Sequence, residues 1–223
     1  MKIITLGDSL MQENGPETYP QEGWPQELHY FLQNPLISVL DLGLNGRSTK
    51  SFIDEGHFAD ALKRAEPGDV VFLSFGHNDE KKEDPTRYTD PYGAYQSNLA
   101  LMNGRFQEKG CLVFFITSMS RLHYDDKGVL LHTHGEYPKA MKEVAARLGR
   151  PCFDLEAISY DFLSHSSFDT NSGYYMIFDQ GAYPSHPEAS NDASHLSERG
   201  AKMVCRLLWG EFKKDPELES LFI

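Results

Sequence analysis

Short apolar segments alternating with longer helical ones constrain this chain most. Ile3 to Leu6, Ile37 to Leu42, Val70 to Phe75, Cys111 to Thr117 and Pro151 to Leu155 read as strands. Helical stretches lie between them, from about Trp24 to Gln33, Phe52 to Ala65, Tyr92 to Lys109 and Pro138 to Leu148, with a last one from about Ser197 to Lys213. The third is the clearest: Tyr92, Tyr95, Leu99, Met102 and Phe106 recur at steps of three and four, which lines one face of a helix, and Gly110 follows where a C-terminal cap belongs. Strands joined through helices of ten or more residues need crossover connections, so they pair in parallel, cross right-handed and are covered on both faces. The expected architecture is a three-layer α/β/α sandwich around a five-stranded parallel sheet. No repeat, low-complexity tract or linker divides the chain, which predicts one domain over residues 1–223. The turn-rich stretch Ser164 to Asn191 reads as a long surface excursion.

Composition adds exclusions. A chain of 223 residues buries roughly 70 to 75% of its unfolded surface and needs no disulfide scaffold. Cys111, Cys152 and Cys205 are odd in number, sit in apolar segments and lack C-x-x-C spacing, so they read as buried, reduced thiols. Lys plus Arg number 21 against 33 Asp plus Glu, a net charge of −12. A balance this acidic argues against nucleic acid or an anionic membrane as partner, because both require a basic footprint. No apolar run approaches the roughly 18 residues of a membrane span, and Ile3 to Leu6 is too short for the core of a signal peptide. The expected location is cytoplasmic.

In open parallel sheets ligands bind beyond the carboxyl ends of the strands, so chemistry is sought there. Gly7-Asp8-Ser9-Leu10 follows the first strand. A Ser in a tight turn offers its hydroxyl and its own N–H to the same point, the pairing a nucleophile and an oxyanion donor need, although such a tetrapeptide is equally an ordinary turn. Gly43-Leu44-Asn45-Gly46-Arg47-Ser48 follows the second strand; its glycines allow close backbone approach to a ligand, or simply a flexible turn. Gly76-His77-Asn78-Asp79 follows the third, with an amide able to donate into a cleft or to cap a turn. Asp192-Ala193-Ser194-His195 precedes the last helix, where a turn or first helical turn lets the carboxylate hold imidazole Nδ1 and leave Nε2 as base. Together the four supply nucleophile, oxyanion donors, base and orienting acid, and the conjunction points to an enzyme.

These blocks resemble those of the SGNH (GDSL-type) hydrolases, in their usual order. Within that superfamily the chain is most similar to the rhamnogalacturonan acetylesterases. The similarity rests on Asn45-Gly46-Arg47-Ser48-x-x-Ser51-Phe52, Phe75-Gly76-His77-Asn78-Asp79, Thr133-His134-Gly135-x-Tyr137-Pro138 and Asp192-x-Ser194-His195-Leu196-x-x-x-Gly200-Ala201. Ser194 stands where a Thr is expected. The resemblance implies a flavodoxin-like SGNH hydrolase fold and a serine esterase that removes O-acetyl groups from carbohydrate through an acetyl-enzyme. It implies Ser9, His195 and Asp192 as the triad, and the Ser9 N–H, the Gly46 N–H and the Asn78 amide as the oxyanion hole. No metal or cofactor enters. Asp8, Arg47 and His77 are candidate substrate contacts, and Arg47, Lys81, Lys82 and Arg87 could meet a sugar carboxylate or form a solvated rim. Tyr174, Tyr175 and Phe178 could stack on a sugar or pack onto the body. His123, His132 and His134 cluster in sequence but lack the carboxylate or Cys spacing of a metal site, and read as surface or loop residues. The acidity and the absence of a signal-like segment favour short acetylated oligosaccharides over polymer as the partner. Competing readings are a lipid or thioester hydrolase, a xylan-type acetylesterase, and a non-catalytic carbohydrate-binding module.

Overall fold

The computed structural model describes residues 1–223. Five strands, β1 (Lys2–Gly7), β2 (Ser38–Asp41), β3 (Val70–Ser74), β4 (Leu112–Ile116) and β5 (Cys152–Phe153), pair in parallel in the order β2-β1-β3-β4-β5. This is the strand order of a flavodoxin-like doubly wound sheet, the fold the resemblance implies. The chain reverses its direction of travel across the sheet between β1 and β3, which opens a crevice at their carboxyl ends.

The apolar alternation within the strands builds two cores. One face gathers Ile3, Val70, Phe72, Phe114 and Ile116 with Trp24 and with Val204, Leu208 and Phe212 of α7 (Glu198–Phe212). Phe72 and Phe212 stack with centroids 4.9 Å apart. The other face gathers Ile4, Leu6, Val71, Leu73 and Phe115 under α1 (Thr49–Asp54), α2 (His57–Arg64), α3 (Gln96–Glu108) and α4 (Tyr137–Arg147). All five residues of β3 are buried, as its unbroken apolar run requires of a central strand. No helix is long and apolar enough to cross a membrane.

Several expected elements differ in form. The Trp24 stretch is a 3-10 helix over Trp24–Phe31, ended before Pro35. The helix expected from Phe52 to Ala65 starts earlier, because Ser48 caps it by accepting from the Ser51 N–H, and breaks in two at Gly56, whose φ is +86°. Tyr92 lies outside α3, in a π-type turn kinked at Gly93, and is exposed, whereas Tyr95, Leu99, Met102 and Phe106 are buried. β5 is only two residues long. Cys152 is half-buried; Cys111 and Cys205 are buried, and all three are free thiols.

The largest departure is Ser164 to Asn191. Preceded by α5 (Leu155–Ser164), it contains α6 (Phe168–Ser172) and β6 (Tyr175–Phe178), which pairs antiparallel with β7 (Ser190–Leu196). The segment is fastened to the body: the buried Tyr175 hydroxyl donates to the Ser120 carbonyl at 2.6 Å. The Leu122 N–H donates to the Ala193 carbonyl at 2.9 Å and the Glu22 N–H to the Leu196 carbonyl at 3.1 Å. This small sheet sets the position of residues 192–195 over the end of the main one.

Candidate active site

β1 ends in a tight turn. Asp8 Oδ1 accepts from the Leu10 N–H at 3.0 Å, and the Met11 N–H returns to the Asp8 carbonyl at 3.1 Å. Ser9 sits at the apex, and its N–H makes no hydrogen bond within the protein. On the far side of the crevice, β7 carries an irregularity: Leu196 lies opposite Tyr175, yet Asp192 lies opposite the next residue, Met176. Residues 193–195 therefore bulge out of the ladder, and such bulges re-aim side chains. Asp192 Oδ1 folds the bulge by accepting from the N–H groups of Ser194 (2.9 Å) and His195 (3.0 Å). Asp192 Oδ2 meets His195 Nδ1 at 2.6 Å, and His195 Nε2 meets Ser9 Oγ at 2.9 Å. The expected Asp-to-His contact is present, formed in a strand bulge rather than in a turn or first helical turn.

Electrostatics suit the order of these contacts. Burial works to raise the Asp192 carboxyl, but the hydrogen bonds from the His195 ring and backbone outweigh it and hold the group well below the usual range. His195 is raised above 6.5, chiefly by its bond to Asp192 and against the pull of burial. A carboxylate on Nδ1 fixes the proton there and leaves the Nε2 lone pair for the Ser9 hydroxyl. A hydroxyl so placed can pass its proton to Nε2 as its oxygen attacks an electrophile.

The loop after β2 lies against the Ser9 turn. A Cβ on Gly43 would come within 2.4 to 2.5 Å of the Met11 backbone, so only glycine permits this approach. The Leu44 N–H donates to the Gly7 carbonyl at 3.1 Å and the Asn45 N–H to Gln12 Oε1 at 2.6 Å. Gly46 has a φ of +74°, and its N–H has no partner within the protein. After β3, Asn78 Nδ2 donates to the Arg47 carbonyl at 3.2 Å, which ties the third loop to the second. Asp79 is wholly buried and strengthens the tie, accepting from the Thr49 N–H, the Thr49 hydroxyl and the Thr89 hydroxyl. Burial pushes its carboxyl up to about 7 against those bonds. Its bracing role was missed at the level of sequence, although Asp79 stands within the Gly76-His77-Asn78-Asp79 block.

The candidate substrate contacts Asp8, His77 and Arg47 have neighbours within the protein. Asp8 and His77 are buried, the Asp8 carboxylate 3.6 Å from His77 Nδ1 and the His77 ring edge-on to His134 at 4.3 Å. Burial, reinforced by His134, lowers His77 to about 4. Arg47 turns its guanidinium to Glu55 and to the Asn45 carbonyl. Lys81 and Lys82 line a cavity of about 550 Å³ with Glu80, Tyr88, Thr133 and Glu136. Tyr175 is core, Tyr174 stacks under Arg199 at 4.5 Å, and Phe178 packs edge-on to Tyr183. Among the three clustered histidines, His132 pairs with Glu156 and stacks on Tyr160. His134 lies in a loop, buried between Glu80 and the Met119 carbonyl. No three His, Cys, Asp or Glu side chains gather in a way that could hold a metal ion.

Residues 5–203 match the model of the GDSL-like lipase/acylhydrolase family. A rhamnogalacturonan acetylesterase of Bacillus subtilis (strain 168) is 32% identical over 93% of this chain and 88% of its own length. A probable rhamnogalacturonan acetylesterase of the same strain is 34% identical over 92% and 89%. Among solved structures, the YXIM protein of Bacillus subtilis superposes with a TM-score of 0.77 at 22% identity, over 96% of this chain and 56% of that one.

Proposed function

The chain belongs to the GDSL-like lipase/acylhydrolase family of carboxylic ester hydrolases, and on that premise we propose that it removes O-acetyl groups from carbohydrate, with acetylated rhamnogalacturonan oligosaccharides as substrate. The observation that carries the reading is the unbroken line of contacts Ser9 to His195 to Asp192, at 2.9 and 2.6 Å. Ser9 Oγ attacks the acetyl carbonyl while its proton passes to His195 Nε2. The oxyanion of the tetrahedral intermediate accepts from the N–H groups of Ser9 and Gly46 and from Asn78 Nδ2. The C–O bond to the sugar then breaks, His195 gives its proton to the leaving hydroxyl, and an acetyl-enzyme remains. Water attacks this ester with His195 again taking the proton, and acetate leaves as Ser9 is restored. Asp192 holds the ring tautomer and stabilises the imidazolium throughout.

The substrate class follows the two curated relatives, both rhamnogalacturonan acetylesterases by name. A net charge of −12 favours short fragments over a long polygalacturonate chain, since screening over about 8 to 10 Å leaves a short ligand to its local cations. Acetate release from acetylated rhamnogalacturonan fragments, measured beside acetylated xylan fragments and short- and long-acyl nitrophenyl esters, tests the reading. Release from the first should exceed that from xylan, short acyl chains should be preferred, and Ser9→Ala should retain its fold and lose all three activities. Activity retained by Ser9→Ala overturns the nucleophile; equal or greater release from xylan overturns the substrate.

A further inference from the structure

The Arg87 guanidinium has no part in the steps above, yet it is held beside two of the three proposed oxyanion donors. Its Nη1 donates to Asn78 Oδ1 at 3.2 Å and lies 3.9 Å from the point a Cβ on Gly46 would occupy. It is delivered there by a braced segment. Arg87 Nε donates to Asp84 Oδ2 at 2.6 Å, and Asp84 Oδ1 accepts from the Thr86 N–H and hydroxyl. The Asp84 carbonyl accepts from the N–H groups of Arg87 and Tyr88. The segment's ends are pinned by the Thr89 hydroxyl on Asp79 Oδ1 at 2.7 Å and by the Tyr137 hydroxyl on the carbonyls of Asp79 and Thr89.

A side-chain amide has two orientations that exchange its oxygen and its NH2 group, and only its partners choose between them. For Asn78 the partners have opposite demands. The Arg47 carbonyl can only accept and the Arg87 guanidinium can only donate, so one orientation satisfies both. In it Nδ2 spends one hydrogen on Arg47 and keeps the other. We infer that Arg87 is a positioning residue, which acts through Asn78 by holding the amide with its nitrogen presented to the oxyanion. The inference rests on the ester hydrolysis proposed above. Two of the five N–H donors of Arg87 are spent in this way, Nε on Asp84 and one of Nη1 on Asn78.

The test is kcat and KM on the uncharged ester 4-nitrophenyl acetate for the wild type, Arg87→Ala, Arg87→Lys, Asn78→Ala and the Arg87→Ala/Asn78→Ala double variant, with thermal melts to confirm folding. Arg87→Lys should recover part of the roughly tenfold loss of kcat that Arg87→Ala should show at a KM within about twofold, because its ammonium can still donate to Asn78 Oδ1. In the Asn78→Ala background the same change should cost less than about twofold, because the residue it acts through is gone. An equal fractional loss in both backgrounds, or a raised KM at unchanged kcat, overturns the inference and leaves the oxyanion assignment standing. Full kcat in Asn78→Ala alone overturns the assignment and the inference with it. Should Arg87→Ala fail to fold, Arg87→Gln takes its place in the same comparison.

Discussion

His195 Nε2 and Ser9 Oγ meet at 2.9 Å although 186 positions separate the two residues in the chain. One stands on the turn that ends β1, the other on a bulge of a small antiparallel sheet. Their contact depends on how that sheet is fastened to the body, through Tyr175, Leu122 and Glu22.

Asn78→Ala removes a side-chain donor without emptying the core. Loss of one such donor typically costs about 3 to 4 kcal/mol in the transition state, so kcat should fall roughly 10² to 10³-fold while the melting temperature changes little. Steady-state kinetics on an acetyl ester, paired with a thermal melt, read both.

The acidic limb of the rate profile reports the base. His195 acts only when Nε2 is unprotonated, and its hydrogen bond to Asp192 raises it above 6.5, so activity should fall as pH drops through a midpoint higher than 6.5. Asp192→Asn removes the charge that raises it and allows the wrong tautomer. kcat should fall by about 10⁴ and the midpoint should move down. The linkage runs the other way for stability: the His195 contribution is full below the unfolded value of 6.5 and is lost as pH rises through the raised folded value, whereas that of Asp192, held below its ordinary 3.8, is lost as pH falls below 3.8.

Buried His77 has the opposite sign. Its folded value, lowered to about 4, lies below 6.5, so between those limits the unfolded chain binds a proton the folded one refuses. Stability should therefore decline on acidification from 6.5 towards 4. In His77→Asn the slope of unfolding free energy against pH over that window should be shallower by up to about 1.4 kcal/mol per pH unit. Denaturant titrations at several pH values measure it, and an unchanged slope would contradict the buried neutral state.

Two glycines should respond in opposite directions. Gly43→Ala forces a Cβ into the Met11 backbone, so it should destabilise the fold by about 1 to 3 kcal/mol and lower kcat as the loop bearing Gly46 is pushed from the Ser9 turn. Gly104→Ala, inside α3 with open space around the added carbon, should stabilise by about 0.5 to 1 kcal/mol and leave kcat unchanged. Chemical denaturation of the two variants provides the comparison.

The sequence by itself determined the parallel sheet and the level at which its site lies. The runs at Val70 and Cys111 are short and apolar on both alternating faces, and the helical periodicity at Leu99, Met102 and Phe106 is local, so burial needs alone dictate these elements. The loops holding Ser9, Gly46 and Asn78 follow from the same pattern, because parallel strands deliver their carboxyl ends to one edge. Only the tertiary structure decided the rest. Tyr175 and Met176 look like loop residues until β7 is there to pair with them, and the break at Gly56 shows only in a backbone angle. The bulge that turns His195 towards Ser9 exists because Leu196 and Asp192 bind successive residues of β6. Arg47 facing Glu55, His77 facing inward and Arg87 meeting Asn78 are choices among partners that the folded backbone brings within about 3 to 4 Å. Periodicity carries the burial of an element, whereas the direction of a polar side chain depends on which donor or acceptor from elsewhere in the chain arrives beside it.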